Sequence, residues 1–195
     1  MRSVKRTPHI FLLFCLLSTI LFSEAQAQPT IYIVRHAEKL ANWPGGETSA
    51  FQPLSAEGLA RAEELVGRFE GIHLKAIYSS LTTRTLHTAF PLSQKLSLPI
   101  TVAKACQDTS AISAFLSELN EAYEQEDAVL LISHSNIIPY MLMKAGLPKG
   151  CHDEMGFTTS TSHSWIVIQG YDNIWKLDSR RDKALECGGI RKLKF

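Results

Sequence analysis

Ile31-Tyr32-Ile33-Val34-Arg35-His36-Ala37-Glu38-Lys39 is the stretch whose reading decides the fold. Four apolar residues in succession, three of them β-branched and with no turn residue among them, predict a strand buried on both faces. That is the habit of a parallel sheet covered by helices. The run stops at Arg35 and His36, which therefore stand at the strand's carboxyl end. In open α/β sheets ligands bind in the crevice above that end. An isolated Arg-His pair there means only that a strand meets water, so the rest of the chain has to decide between surface and site.

Ala128-Val129-Leu130-Leu131-Ile132-Ser133 is apolar throughout and belongs in mid-sheet; it ends at His134-Ser135-Asn136, before a helix of about residues 137–145. Shorter strands are expected at Ala76-Ile77-Tyr78, which stops at Ser79-Ser80, and at Pro99-Ile100-Thr101-Val102. Between them lie helical patterns. Ser55 suits the N-cap of a helix over about 56–69 that presents Leu59, Ala62, Val66 and Phe69 and turns Arg61, Glu63, Glu64 and Arg68 away. A second helix over about 82–96 presents Leu81, Thr85, Ala89, Leu92 and Leu96, with Pro91 able to kink or shorten it. A third carries Ile112, Phe115, Leu116, Leu119 and Tyr123. Strand, helix and strand in succession make right-handed βαβ crossovers. Ser164–Gln169 and residues 174–178 alternate like strands and are joined by Gly170-Tyr171-Asp172-Asn173, a hairpin-type connection. The expected fold is a three-layer α/β/α sandwich, its sheet mostly parallel with a C-terminal antiparallel hairpin.

The first residues read differently. Arg2, Lys5 and Arg6 precede a thirteen-residue apolar run, Ile10 to Phe22, and Ala25-Gln26-Ala27 has the small-x-small cleavage pattern. This predicts a secretory signal peptide over 1–27, cleaved after Ala27, and an exported, periplasmic or secreted protein. A bilayer span takes about 20 apolar residues, so no integral membrane span is expected after cleavage. Residues 28–195 then form one domain of 168 residues. The leader holds three of the 20 Lys+Arg and one of the 19 Asp+Glu, which leaves 17 against 18, a formal −1. A near-neutral chain without a basic run gives no electrostatic reason for nucleic-acid binding. Three cysteines remain, an odd count, so one thiol stays free, and Cys151–Cys187 is the more plausible bridge. No Cys-x-x-Cys spacing or histidine ligand set points to a metal or other cofactor.

Three polar clusters fall at carboxyl ends of separate strands: Arg35-His36, Ser79-Ser80 with Arg84, and His134-Ser135-Asn136. A parallel sheet brings these ends to one edge. Arg84 lies in the first turn of a helix, where free N–H groups and the helix dipole favour an anion. Two guanidinium groups added to that make a phosphate site, because arginine grips two oxygens at once. A neutral imidazole beside them is a nucleophile, and charge developing on the phosphoryl oxygens can be held by Arg35, Arg84 and a protonated His134.

The run 31–39 resembles the Arg-His signature of the histidine phosphatase superfamily, also called phosphoglycerate mutase-like. The likeness continues through Leu54-Ser55-Ala56-Glu57-Gly58, through the segment from Tyr78 to Ala89 with its Arg84-x-x-x-Thr88-Ala89 core, and through Ile132-Ser133-His134-Ser135-Asn136, similar to the family's Gly-His-Ser-Asn motif. The resemblance implies that His36 is the phosphorylated nucleophile, that Arg35 and Arg84 bind the phosphoryl group and that His134 completes the pocket. Asn42 falls where mutase-like members place a phosphate-contacting asparagine. Ala37 and Ser133 stand where the family usually has glycine, and Ala37 is acceptable only if the backbone there does not need positive φ.

By resemblance the general acid is a carboxylate after the third strand, and Asp108 is the only acidic residue between Val102 and the apolar face of the next helix. Asp108 equally suits a helix N-cap, and Glu38 competes for the acid role or else holds Arg35 or Lys39 in place. His73, His87, His152 and His163 show no ligand spacing. The expected function is a phosphomonoester hydrolase working through phosphohistidine on a small phosphorylated substrate, or on phosphate carried by an envelope glycolipid or protein. The alternatives are a phosphomutase and a non-catalytic phosphate-binding module. Residues 148–163, the longest stretch without regular pattern, are expected to form a specificity loop.

Overall fold

A computed structural model describes residues 28–46, 49–160, 164–181 and 184–194. The expected signal peptide over 1–27 lies outside the described residues, as does His163. Among the described residues no helix is long and apolar enough to cross a membrane.

Six strands form the central sheet. In chain order they are β1 (Thr30–Arg35), β2 (Leu74–Ser79), β3 (Ile100–Val102), β4 (Ala128–Ser133), and two later strands, β7 (Asn173–Leu177) and β8 (Ile190–Lys194). Their spatial order is β3-β2-β4-β1-β7-β8. The first four run parallel, with β4 between β2 and β1 as its unbroken apolar run requires, and Ile31 to Arg35 pair in step with Val129 to Ser133. Because successive side chains point to opposite faces, each central strand feeds two cores. Ile31, Ile33, Val129 and Leu131 face α3 (Ile112–Ala122) and α4 (Ile138–Lys144). Tyr32, Val34, Leu130 and Ile132 face Leu65 and Phe69 of the α1 region (helix Ala56–Arg68) and Ala89 and Leu92 of α2 (Thr83–Leu96). These are the three layers expected.

A C-terminal antiparallel pair is present, and the expected strand 174–178 is in it as β7, but its partner is β8 rather than the expected strand 164–169. β7 pairs with β1 on one side and β8 on the other. The strand Ile166–Ile168, β6, instead pairs with β5 (Phe157–Thr159) in a separate two-stranded sheet. Gly170–Asn173 therefore links two sheets rather than closing a hairpin, and β5 occupies part of the stretch that shows no pattern in sequence. The helix faces also shift. On α1 the buried stripe is Gly58, Ala62, Leu65 with Phe69 just beyond, while Leu59 is exposed; on α2 the expected Thr85, Ala89 and Leu92 are buried and Thr88 and Ser93 join them, while Leu81, ahead of the helix, is exposed. Gly58 wins its inner position because α1 passes close to the Glu38 backbone there, and the buried hydroxyls of Thr85 and Thr88 are hydrogen-bonded. Pro91 lies within α2, which continues to Leu96. A disulfide joins Cys151 to Cys187, and Cys106 is a buried free thiol.

Candidate active site

The backbone ladder between β1 and β4 runs one residue beyond the strands: His36 N donates to Ser133 O at 3.0 Å. That bond carries His36 to the sheet edge beside His134, and the two rings meet edge to face with centroids 5.3 Å apart. Both are nearly sealed, His36 4% and His134 8% exposed. Ala37 N then donates to Thr88 Oγ1 at 2.9 Å, and Thr88 Oγ1 donates to Arg84 O at 2.7 Å. A single hydroxyl thus locks the turn after His36 to the first turn of α2, where Arg84 sits. Ala37 is buried and is not among the positive-φ residues, so a methyl group fits where the related motif has glycine. Ser133 likewise has a use for its side chain: Oγ donates to Cys106 O at 2.8 Å and ties the loop after β3 to β4.

The hydrogen bonds assign the tautomers. His36 Nδ1 lies 2.8 Å from Ala37 O, and a carbonyl only accepts, so Nδ1 carries the proton and Nε2 keeps its lone pair. Burial holds the imidazole down at about 2, helped by His134, Arg35 and Arg84, while the Ala37 carbonyl pulls the other way. His134 Nδ1 faces Arg84 Nη2 at 3.4 Å, and guanidinium cannot accept, so the proton lies on Nε2, which reaches Ser80 Oγ at 2.8 Å. Burial and then the two arginines hold His134 at about 3. The free site therefore contains two neutral imidazoles. Behind them Ser80, Thr82 and Thr85 form a buried hydroxyl network, with Ser80 Oγ 2.8 Å from Thr85 Oγ1 and 3.2 Å from Thr82 Oγ1.

The arginines are held from outside the pocket. Arg84 Nη1 donates to Ser49 O at 3.0 Å. Arg35 Nη1 donates to Gly170 O at 3.2 Å and Nη2 to the Tyr171 hydroxyl at 3.1 Å, with the Tyr171 ring centroid 3.9 Å from the guanidinium carbon. Arg35 Nε is buried with no hydrogen-bond partner among the described residues. Burial pushes both guanidinium groups below their ordinary value, and at Arg84 the charge of Arg35 adds to this. Two like charges and an orphaned donor held together out of water are what an oxyanion would satisfy. Tyr171 carries no signal in sequence: it lies in a turn and reaches Arg35 only because β7 docks antiparallel on β1.

The remaining expected residues lie apart from these four. Glu38 is clamped by Arg61, whose Nε reaches both carboxylate oxygens at 2.7 and 2.8 Å. Burial alone would raise the Glu38 carboxyl, but the Arg61 bonds hold it below the ordinary range. Its hydrogen-bonded partner is thus Arg61, which faces inward rather than away, while Arg35 and Glu38 also attract each other through charge. The backbone at Glu38 is pressed against α1 so closely that a Cβ at Gly58 would collide with the Glu38 carbonyl. Asp108 caps the turn before α3, accepting from Ser110 N at 2.8 Å and Ser110 Oγ at 2.7 Å, and pairs with Lys104 at 3.0 Å. The Ser110 bonds and then Lys104 hold it down at about 2. Asn42 is exposed in a turn at φ +54° and makes no hydrogen bond to the four residues. Cys151, Glu154 and Cys187 are the one group among the described residues with ligand atoms close enough for a metal, and its two thiols are joined as a disulfide.

Residues 31–111 match the model of the histidine phosphatase superfamily (branch 1). That span holds Arg35, His36, Arg84 and Asp108 and ends before His134. No curated protein matches the chain. Among solved structures, the chain is similar to the protein histidine phosphatase SixA complexed with tungstate, at 20% identity and TM-score 0.57 over 84% of this chain and 94% of that one. It is similar to mycobacterial glucosyl-3-phosphoglycerate phosphatase with VO3, at 13% identity and TM-score 0.60 over 85% and 97%. A phosphoserine phosphatase mutant from Entamoeba histolytica, in complex with phosphoserine, matches at 12% identity and TM-score 0.55 over 86% and 96%. At these identities the likeness is one of fold, and the fold is that of phosphoglycerate mutase-like phosphatases.

Proposed function

We propose that this chain is a member of the histidine phosphatase superfamily that hydrolyses phosphate monoesters through a phosphohistidine on His36. One observation carries the reading: the Ala37 carbonyl fixes the His36 proton on Nδ1 and leaves a buried Nε2 lone pair beside Arg35, Arg84 and His134. Nε2 attacks phosphorus as the P–O ester bond breaks. The equatorial oxygens, which carry the charge of the loose transition state, are held by Arg35 and Arg84. A dianion placed against His134 favours its protonation, which turns Nδ1 from acceptor to donor. Glu38 and Asp108 are both ionised, so the leaving oxygen takes its proton from water. Water then attacks the phosphohistidine, releasing phosphate and restoring His36.

The Cys151–Cys187 bridge supports the export reading, since disulfides persist in oxidising compartments. N-terminal sequencing of the exported protein should begin at Gln28. Substrates are phosphorylated small molecules or phosphate on an envelope glycolipid or protein. Base-quenched mass spectrometry after mixing with acetyl phosphate should show one phosphoryl group on His36, absent in His36→Ala. No phosphohistidine, and no phosphate release across a broad ester panel, would refute the reading.

A further inference from the structure

Where the turn after β4 leaves His134, a cavity of about 620 Å³ opens that is lined by none of the four clustered residues. Lys104, Gln107 and Asp108 line it from the loop after β3, Asn136 and Tyr140 from the turn and helix that follow His134, and Trp165 from the approach to β6. Two bonds join these walls to β4 and the turn after it. Ser133 Oγ holds Cys106 O at 2.8 Å, and Ile168 N donates to Ser135 O at 2.9 Å. Cavity and phosphoryl pocket thus share one frame.

We propose that this cavity is the leaving-group subsite and that it takes a sugar, so that the substrate is a phosphorylated carbohydrate; the substrate assignment rests on the phosphatase reading above. Each sugar hydroxyl both donates and accepts, and so do the side chains of Gln107, Asn136 and Tyr140. Lys104 adds a pure donor and Asp108 a pure acceptor, and their pairing at 3.0 Å cancels the charge, which removes any pull toward a second phosphate. Trp165, 52% exposed, offers an indole on which the C–H face of a pyranose can pack. An aryl or lipid group would strip water from this polar lining without replacing its hydrogen bonds. An extended peptide pairs with a strand edge, whereas this lining comes from loops and a helix start. Ligand pockets run from about 300 to 1,000 Å³, and this one has room for a monosaccharide with space to extend.

The test separates the sugar from the chemistry. In the His36→Ala full chain, calorimetric titration should show glucose 6-phosphate binding roughly tenfold more tightly than glycerol 3-phosphate or O-phosphoserine, the scale of one stacked ring with its hydrogen bonds. Trp165→Ala and Gln107→Ala, each combined with His36→Ala, should bring the three ligands to parity. With His36 intact, Trp165→Ala should lower kcat/KM for glucose 6-phosphate while hydrolysis of acetyl phosphate, too short to reach the cavity, keeps its rate. Equal binding of the three ligands, or a sugar preference that survives Trp165→Ala, overturns the subsite. A sugar preference in a protein that forms no phosphohistidine from acetyl phosphate overturns the phosphatase reading and leaves a sugar-phosphate binding site.

Discussion

Lowering the pH from 7 to 5 should remove about 4 kcal/mol of folding stability, through His36 and His134. Burial holds them at about 2 and about 3 in the native protein, against an ordinary 6.5. As pH falls through 6.5 the unfolded chain protonates both residues and the native protein neither. The unfolded state then binds more protons, and stability falls with pH until the native pKa values are reached. Between 6.5 and 5 each histidine contributes about 1.5 units at about 1.36 kcal/mol per unit, hence about 2 kcal/mol each. That is a large part of the 5–15 kcal/mol typical of a domain. The window is chosen because carboxylates, with unfolded values near 4, stay ionised in both states above pH 5. Urea denaturation at pH 7 and pH 5 reads the loss, and the paired variant His36→Asn/His134→Gln removes it. A wild-type loss no larger than that of the variant would mean that the two imidazoles are not buried neutral, and the lone pair assigned to His36 would lose its physical basis.

Asp108→Asn and Glu38→Gln should leave the ratio of kcat/KM for aryl and alkyl phosphates within about twofold of wild type, because neither carboxylate holds a proton in the site; a collapse confined to alkyl esters would restore one of them as the acid. Tyr171→Ala should raise KM for acetyl phosphate and weaken inhibition by vanadate, roughly tenfold each, by freeing Arg35 from the ring and hydroxyl that hold it, while Tyr171→Phe retains the ring contact and loses less. Unchanged KM in both would show that Arg35 is held by β1 alone. Removing the Cys151–Cys187 bridge by paired Ser substitution should cost about 4 kcal/mol, the chain-entropy value for a loop of 36 residues, read as a lower midpoint in urea.

The central β-strands, the parallel order of β1 to β4 and the convergence of Arg35, His36, Arg84 and His134 on one edge were all legible, because buried parallel strands need continuous apolar runs and their ends must be polar. The inner helix faces were less so. Leu59 and Leu81 look like core residues by type, yet both are exposed, and on α1 Gly58 takes the inner position, where the helix meets the Glu38 backbone and no larger side chain fits. The C-terminal pairing was misread for a different reason: alternation marks 164–169 and 174–178 as strands but says nothing about which strand each one meets.

By itself the sequence determined the layers of the fold and the four side chains at the sheet edge, because hydrophobic periodicity and residue chemistry are local properties. Only the tertiary structure decided their states. The proton on His36 Nδ1 depends on the Ala37 carbonyl, the neutral His134 on burial and then on Arg84 and Arg35, the aim of Arg35 on Tyr171, and the ionised Glu38 on Arg61. A pKa and a hydrogen-bond direction are set by burial and by partners distant in sequence, and those partners exist only once the chain has folded.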